Sequence, residues 1–145
     1  MHIQTIDDDT FARSHSRGQA GSRGSLWAGR CLSSLAVLFM ALDGVAKLLE
    51  VPQVIAGTTE LGYAAGSVFT IGVIELLCVA AYVVPSTSVL GALLLTGYLG
   101  GAVATHVRVG NPLFSHTLFP IYVAVFVWGG LVLRDARLRA FLAGR

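Results

Sequence analysis

The sequence predicts an all-α membrane protein: a four-helix transmembrane bundle with both termini cytoplasmic and a disordered polar tail at its N-terminus. Three observations predict it. Of 145 residues, 54% are apolar and 12% are charged. An ordinary soluble domain carries about a quarter charged residues, and mean hydropathy here is +0.73. The apolar residues fall in four stretches, each near the roughly 20 residues that a bilayer span needs. Eight of the ten Lys and Arg residues lie before Cys31 or after Leu133. This composition excludes a disordered chain, a nucleic-acid-binding module and a disulfide-stapled secreted domain. Cys31 and Cys78 form no CxxC pair, so neither a disulfide framework nor a metal site is expected. Both read as small apolar fillers.

Residues 1–25 are polar, with Asp7, Asp8, Asp9, Arg13, Arg17 and Arg23 among glycines and serines. They carry too little apolar surface to order themselves, and no signal-peptide run precedes Leu26. The first span covers 26–49, with Asp43 and Lys47 in its last turns. Val51–Gly66 reads as a loop because Pro52 and Gly57 interrupt it. The second span, 67–84, has Glu75 near its middle. Pro85-Ser86-Thr87-Ser88 is a tight break that suits a helical hairpin. The third span covers 87–105, followed by a loop from His106 to His116. The fourth covers 117–133, with Pro120 in its first turn, where a missing N–H costs little. Arginines close the chain, ending in the basic stretch 141–145. Consecutive apolar positions such as Leu76–Val84 do not alternate as membrane strands must.

The positive residues at both ends place the termini in the cytoplasm. Asp43, Lys47, Glu75, His106, Arg108 and His116 then gather in the outer half of the bundle, with Glu75 about 12 Å deep. A charge at helix-centre depth costs about 2.5–3.5 kcal/mol on insertion scales, so such groups pair inside the protein or line a wet cavity. Asp43 and Lys47, four apart, suit a same-face pair. Glu75 has no partner in its own helix and needs Lys47, His106 or Arg108 from another. The group reads either as a polar cavity opening outward or as an ion network fixing helix register. Tyr98 and Tyr82 add polar tips that either line that cavity or bond a nearby carbonyl.

The third span is the predicted packing centre. Ser88, Ala92, Thr96, Gly100 and Ala104 form one ridge of small residues, and Gly97, Gly101 and Thr105 a second. Gly97-xxx-Gly101 has the spacing of close membrane-helix contact, within one bundle or across a homodimer.

Several segments resemble the DoxX-like family of small bacterial integral membrane proteins. They are Asp43-Gly44-Val45-Ala46-Lys47, Glu60-Leu61-Gly62-Tyr63, Glu75-Leu76 and the run LLLTGYLGGAVATHVRVGNPLFSHTLFP, Leu93–Pro120. The resemblance covers about residues 26–140 and implies a four-helix bundle in the bacterial inner membrane. It also implies an association with quinone-linked redox systems and thiol stress. It carries over no catalytic residues. Three roles follow as expectations: an accessory, quinone-binding component of a membrane redox system; an oligomeric transporter subunit relaying protons through Glu75; or a structural partner of another membrane complex. Lipid, a redox partner or a second copy are the expected partners, and nucleic acid is not. Catalysis by the chain alone is not expected, since it has no redox cysteine pair.

Overall fold

A computed structural model describes residues 8–144, with side chains from residue 23 onward. Every regular element among the described residues is helical: α1 (Asp8–Leu48), α2 (Pro52–Glu60), α3 (Ser67–Val83), α4 (Ser88–Arg108), α5 (Phe119–Arg134) and α6 (Ala136–Leu142). A single π-helical turn, Leu113–Thr117, leads into α5.

Among the described residues, three stretches have the length and composition to cross a membrane: Arg23–Leu48 within α1, Ser88–Arg108, and Leu113–Arg134. The apolar helix α3 is shorter, at 17 residues. These four helices pack as a ring in which α1 and α4 each contact both α3 and α5. Neighbours run antiparallel. Ser33 meets Tyr82 while Lys47 meets Glu75, and Phe39 meets Phe119 while Gly29 meets Arg134.

Each helix buries one stripe at three- and four-residue steps, as the 3.6-residue turn requires. On α1 the stripe is Gly29, Ser33, Ala36, Met40, Gly44 and Lys47. On α3 it is Val68, Gly72, Glu75, Cys78 and Tyr82. Polar side chains lie on these stripes, while Leu38, Leu42, Leu77, Leu93 and Val125 are exposed. Large apolar residues cover the outer face of a core that is itself mainly apolar and also holds a few polar groups, as in a bundle that faces lipid.

Glycine sets the closest helix approaches. A Cβ on Gly29 would lie 2.9 Å from the Gly130 carbonyl oxygen. One on Gly91 would collide with the Tyr82 backbone. These contacts draw together the end of the bundle where α3 and α5 finish and α4 begins. There Tyr82 is fully buried, receives a hydrogen bond from Ser33 at 2.9 Å and donates to the Val127 carbonyl at 2.8 Å. Tyr82 is therefore a packing residue with its hydroxyl on a backbone carbonyl.

Several expectations need correction. The first helix does not begin near Leu26. Its backbone is helical from Asp8, because no proline interrupts a helix propagating back from the apolar segment. The expected disorder of residues 1–25 otherwise falls on residues 1–7, outside the described residues. The Val51–Gly66 stretch is not all loop, since Pro52 opens α2 instead of breaking a helix. Asp135 caps α6, accepting from the backbone N–H groups of Arg137 and Leu138 at 2.9 and 3.2 Å. Cys78 fills the core, whereas Cys31 is exposed and fills nothing. Within the bundle, the small-residue ridges of α4 pack only in part. Ser88, Ala92 and Thr105 are buried, but Thr96, Gly97, Gly100, Gly101 and Ala104 are exposed. A Cβ on Gly97, Gly100 or Gly101 would meet nothing within 4 Å.

Candidate functional site

The buried stripes of α1 and α3 bring Lys47 and Glu75 face to face. Two glycines allow it. A Cβ on Gly72 would lie 2.7 Å from that of Lys47, and one on Gly44 would lie 2.8 Å from the Leu76 side chain. Lys47 is 9% exposed and Glu75 is 0% exposed. The Lys47 ammonium donates to Glu75 Oε2 at 2.8 Å, to the Tyr98 hydroxyl at 3.2 Å and to Asp43 one turn back on α1. An ammonium has three N–H donors, so all three are engaged. Tyr98 in turn donates to Glu75 Oε2 at 2.8 Å. Glu75 Oε1 is buried and has no hydrogen-bond partner among the described residues. One cation thus faces two carboxylates, and one oxygen is left unserved.

This cluster forms the polar floor of a cavity of about 860 Å³. The walls are largely apolar, with Phe39, Met40, Ile74, Leu99, Phe119 and Val123 among them. Phe39 and Phe119 meet edge to face at 5.2 Å and close the gap between α1 and α5. The α4 wall contrasts with this, because Gly97 and Gly101 line it without side chains. Both glycines sit on the stripe that continues outward through the exposed Leu90 and Leu94. The bundle wall is thin there.

Residues of α2 and the segment after it roof the cavity, through Val54, Thr58 and Leu61. Two hydrogen bonds latch that roof to α4. The Arg108 guanidinium donates to the Leu61 carbonyl. It packs beneath Gly62, whose φ of 84° suits glycine and whose Cβ, if present, would lie 3.0 Å from Arg108. Thr105 spends its hydrogen on the Gly101 carbonyl at 2.9 Å, so Tyr63 is the donor in the 2.8 Å bond between their hydroxyls.

The structure therefore brings Asp43, Lys47, Glu75 and Tyr98 together and separates the other expected site residues from them. Lys47 is the partner Glu75 needs. His106 and His116 sit on the cavity wall, with ring centroids 5.9 Å apart, and the Asn111 amide bonds His106 Nδ1 at 2.8 Å. Arg108 is a roof latch and not a site cation. Sequence reasoning missed Tyr63 and the Leu61 carbonyl in this role. Glycine followed by an aromatic at Gly62-Tyr63, facing an arginine near the end of α4, was the available signal.

The fold and site define a helical membrane protein with a charged cluster at the floor of an apolar-walled cavity. Residues 31–130 match the model of the DoxX-like family, and the chain belongs to that family. The matched region contains all of Asp43, Lys47, Glu75, Tyr98, His106, Arg108 and His116. No curated protein and no solved structure matches the chain.

Proposed function

We propose that this protein is a four-span component of the bacterial cytoplasmic membrane, with both termini inside, that binds a lipid-soluble ring molecule of the quinone class in its outer-half cavity. As such it serves a membrane redox system as an accessory subunit. The supporting observation is the cavity itself: about 860 Å³, apolar walls, and a buried charged floor with one unserved carboxylate oxygen. Ligand sites commonly combine an apolar enclosure with a few convergent polar groups.

The residues fit such a ring. Phe39, Leu99, Phe119 and Val123 would flank it, and Tyr98 and Glu75 would meet its polar edge. A bound quinone supplies electron-carrying chemistry, while the chain's own groups hold and orient it. The thin wall at Gly97 and Gly101 suits a ligand that arrives from lipid. α3, at roughly 26 Å, is a few ångströms short of a typical hydrocarbon core, a mismatch that local thinning accommodates.

The test is mass spectrometry of protein purified gently from native membrane. A stoichiometric quinone is expected, and bulk lipid alone would overturn the proposal. For topology, a reporter fused after Arg145 should be inactive outside the cell, and an active one would reverse the orientation. A second reading, a proton relay in an oligomeric transporter, draws on the same unserved Glu75 oxygen. It requires that Glu75→Gln abolish ion flux, whereas ring binding does not.

A further inference from the structure

The end of the bundle where α5 finishes is rich in arginine. Two contacts align the segments that meet there. A Cβ on Gly29 would lie 2.9 Å from the Arg134 backbone nitrogen, and the Arg139 guanidinium donates to Ser25 Oγ at 3.3 Å. Residues 23–30 of α1 therefore run beside residues 134–139, which gathers Arg23, Arg30, Arg134, Arg137 and Arg139 at one end. The one acid in these two segments is Asp135, and it caps α6. Among the described residues the ion pairs all belong to Lys47, so none of the five arginines meets a carboxylate. Arg134 rests on the Tyr82 ring and donates to the Tyr82 carbonyl, while Arg23, Arg30 and Arg137 are exposed. At the opposite end Lys47 is held in its cluster and Arg108 on the Leu61 carbonyl.

Large apolar side chains stand among these arginines. Trp27 is 66% exposed, Phe141 79% and Leu142 62%. α6 follows α5 after a single non-helical residue, Asp135, and Leu138 packs it against the core. It is thus held at the edge of the span Leu113–Arg134, at the depth of lipid headgroups. Arg137 and Phe141, four residues apart, share one exposed face of α6. Cations interleaved with exposed aromatic and aliphatic groups suit the membrane boundary, where rings enter the acyl region and guanidinium groups meet phosphate.

We propose that this arginine collar, formed by residues 23–30 of α1 together with Arg134 and α6, is a binding site for anionic phospholipid, with Trp27 and Phe141 against the acyl chains. The proposal is independent of the ring reading and needs only that the chain lies in a membrane. A guanidinium matches a phosphodiester with paired N–H donors. In a zwitterionic lipid the headgroup ammonium offsets that phosphate charge, so five arginines without carboxylate partners favour a lipid of net negative charge. Each cation near such a surface contributes about fivefold to its affinity.

The test uses the full chain in phosphatidylcholine nanodiscs, with Trp128→Phe so that Trp27 alone fluoresces. The probes are phosphatidylglycerol and phosphatidylcholine brominated on their acyl chains, which quench an indole on contact. Half-quenching should need about a tenfold lower mole fraction of the brominated phosphatidylglycerol. Arg30→Gln with Arg137→Gln should bring the two curves together and leave the phosphatidylcholine curve where it was. Arg108→Gln, at the other end of α4, should alter neither. Equal quenching by the two lipids in the parent chain would overturn the proposal, as would a preference undiminished in the double variant. Displacement of phosphatidylglycerol by excess inorganic phosphate would also overturn it, and would assign the arginines to a soluble anion instead of a lipid.

Discussion

Lys47 and Glu75 are joined at 2.8 Å across the α1–α3 interface, and the same ammonium also serves Asp43. The arrangement is asymmetric in charge. Removing Glu75 leaves one carboxylate for one ammonium. Removing Lys47 leaves two carboxylates sharing a low-dielectric space with no cation. The consequences of the two deletions must therefore differ.

Lys47→Met is expected to destabilise the bundle by about 3–5 kcal/mol, the cost of stranding buried charge. Glu75→Gln should cost much less, because Asp43 still balances Lys47. Adding Glu75→Gln to Lys47→Met should recover part of the loss. Thermal unfolding of the three variants in one detergent checks the order. A Glu75→Gln protein less stable than Lys47→Met would show that the cluster is not organised around a shared cation.

The α4 glycines divide into two groups that differ in what a methyl would meet. At Gly91 it lands on the Tyr82 backbone, which cannot swing aside as a side chain can. Gly91→Ala should therefore cost about 3 kcal/mol, at the upper end of overpacking effects. At Gly100 it meets open space. Gly100→Ala should be neutral, or gain up to about 1 kcal/mol from helix propensity. Unfolding midpoints of the two variants, compared side by side, decide this.

Much of the site was legible in the sequence for one reason: an acid in the middle of an apolar stretch must find a partner. Glu75 therefore pointed to a cation, and Lys47 was one of three within reach. Tyr98 was legible as a polar tip near the same depth. The choice of Lys47 over Arg108 was not, because it depends on rotation about the helix axis, which brings residue 47 inward and sends 108 to the Leu61 carbonyl. The ridges of α4 were legible within the bundle only in part, for a related reason. Small residues four apart mark a smooth helix face but not which neighbour it meets, and the tight crossings fell instead at Gly29, Gly91 and Gly130. Pro52 was ambiguous in kind, since a proline both ends one helix and opens another.

The roof over the cavity hangs on few bonds, so it should open before the bundle does. Tyr63→Phe removes the bond to Thr105, and the loss of about 1 kcal/mol should raise amide exchange in α2 about fivefold. Arg108→Ala should do the same by freeing the Leu61 carbonyl. Amides of α3 and α5 should keep their protection in both variants. Hydrogen exchange resolved by peptide checks this. Equal acceleration throughout the chain would mean that α2 is integral to the bundle and not a separately opening roof.

Ligand traffic distinguishes two openings into the cavity. One is the thin wall where Gly97 and Gly101 line it without side chains; the other lies beneath the α2 roof. Gly97→Leu places a side chain on the outward stripe beside Leu94 and closes the wall while leaving the floor untouched. Entry and exit through that wall should then slow together, by about tenfold or more, with Kd within roughly threefold of the native value, since a barrier alters both rates and not their ratio. Arg108→Ala should leave those rates unchanged. Stopped-flow binding of a short-tailed benzoquinone in nanodiscs measures both. Native rates in Gly97→Leu together with faster rates in Arg108→Ala would put the route under α2, and the ligand would then arrive from the aqueous side of the membrane and not from within it.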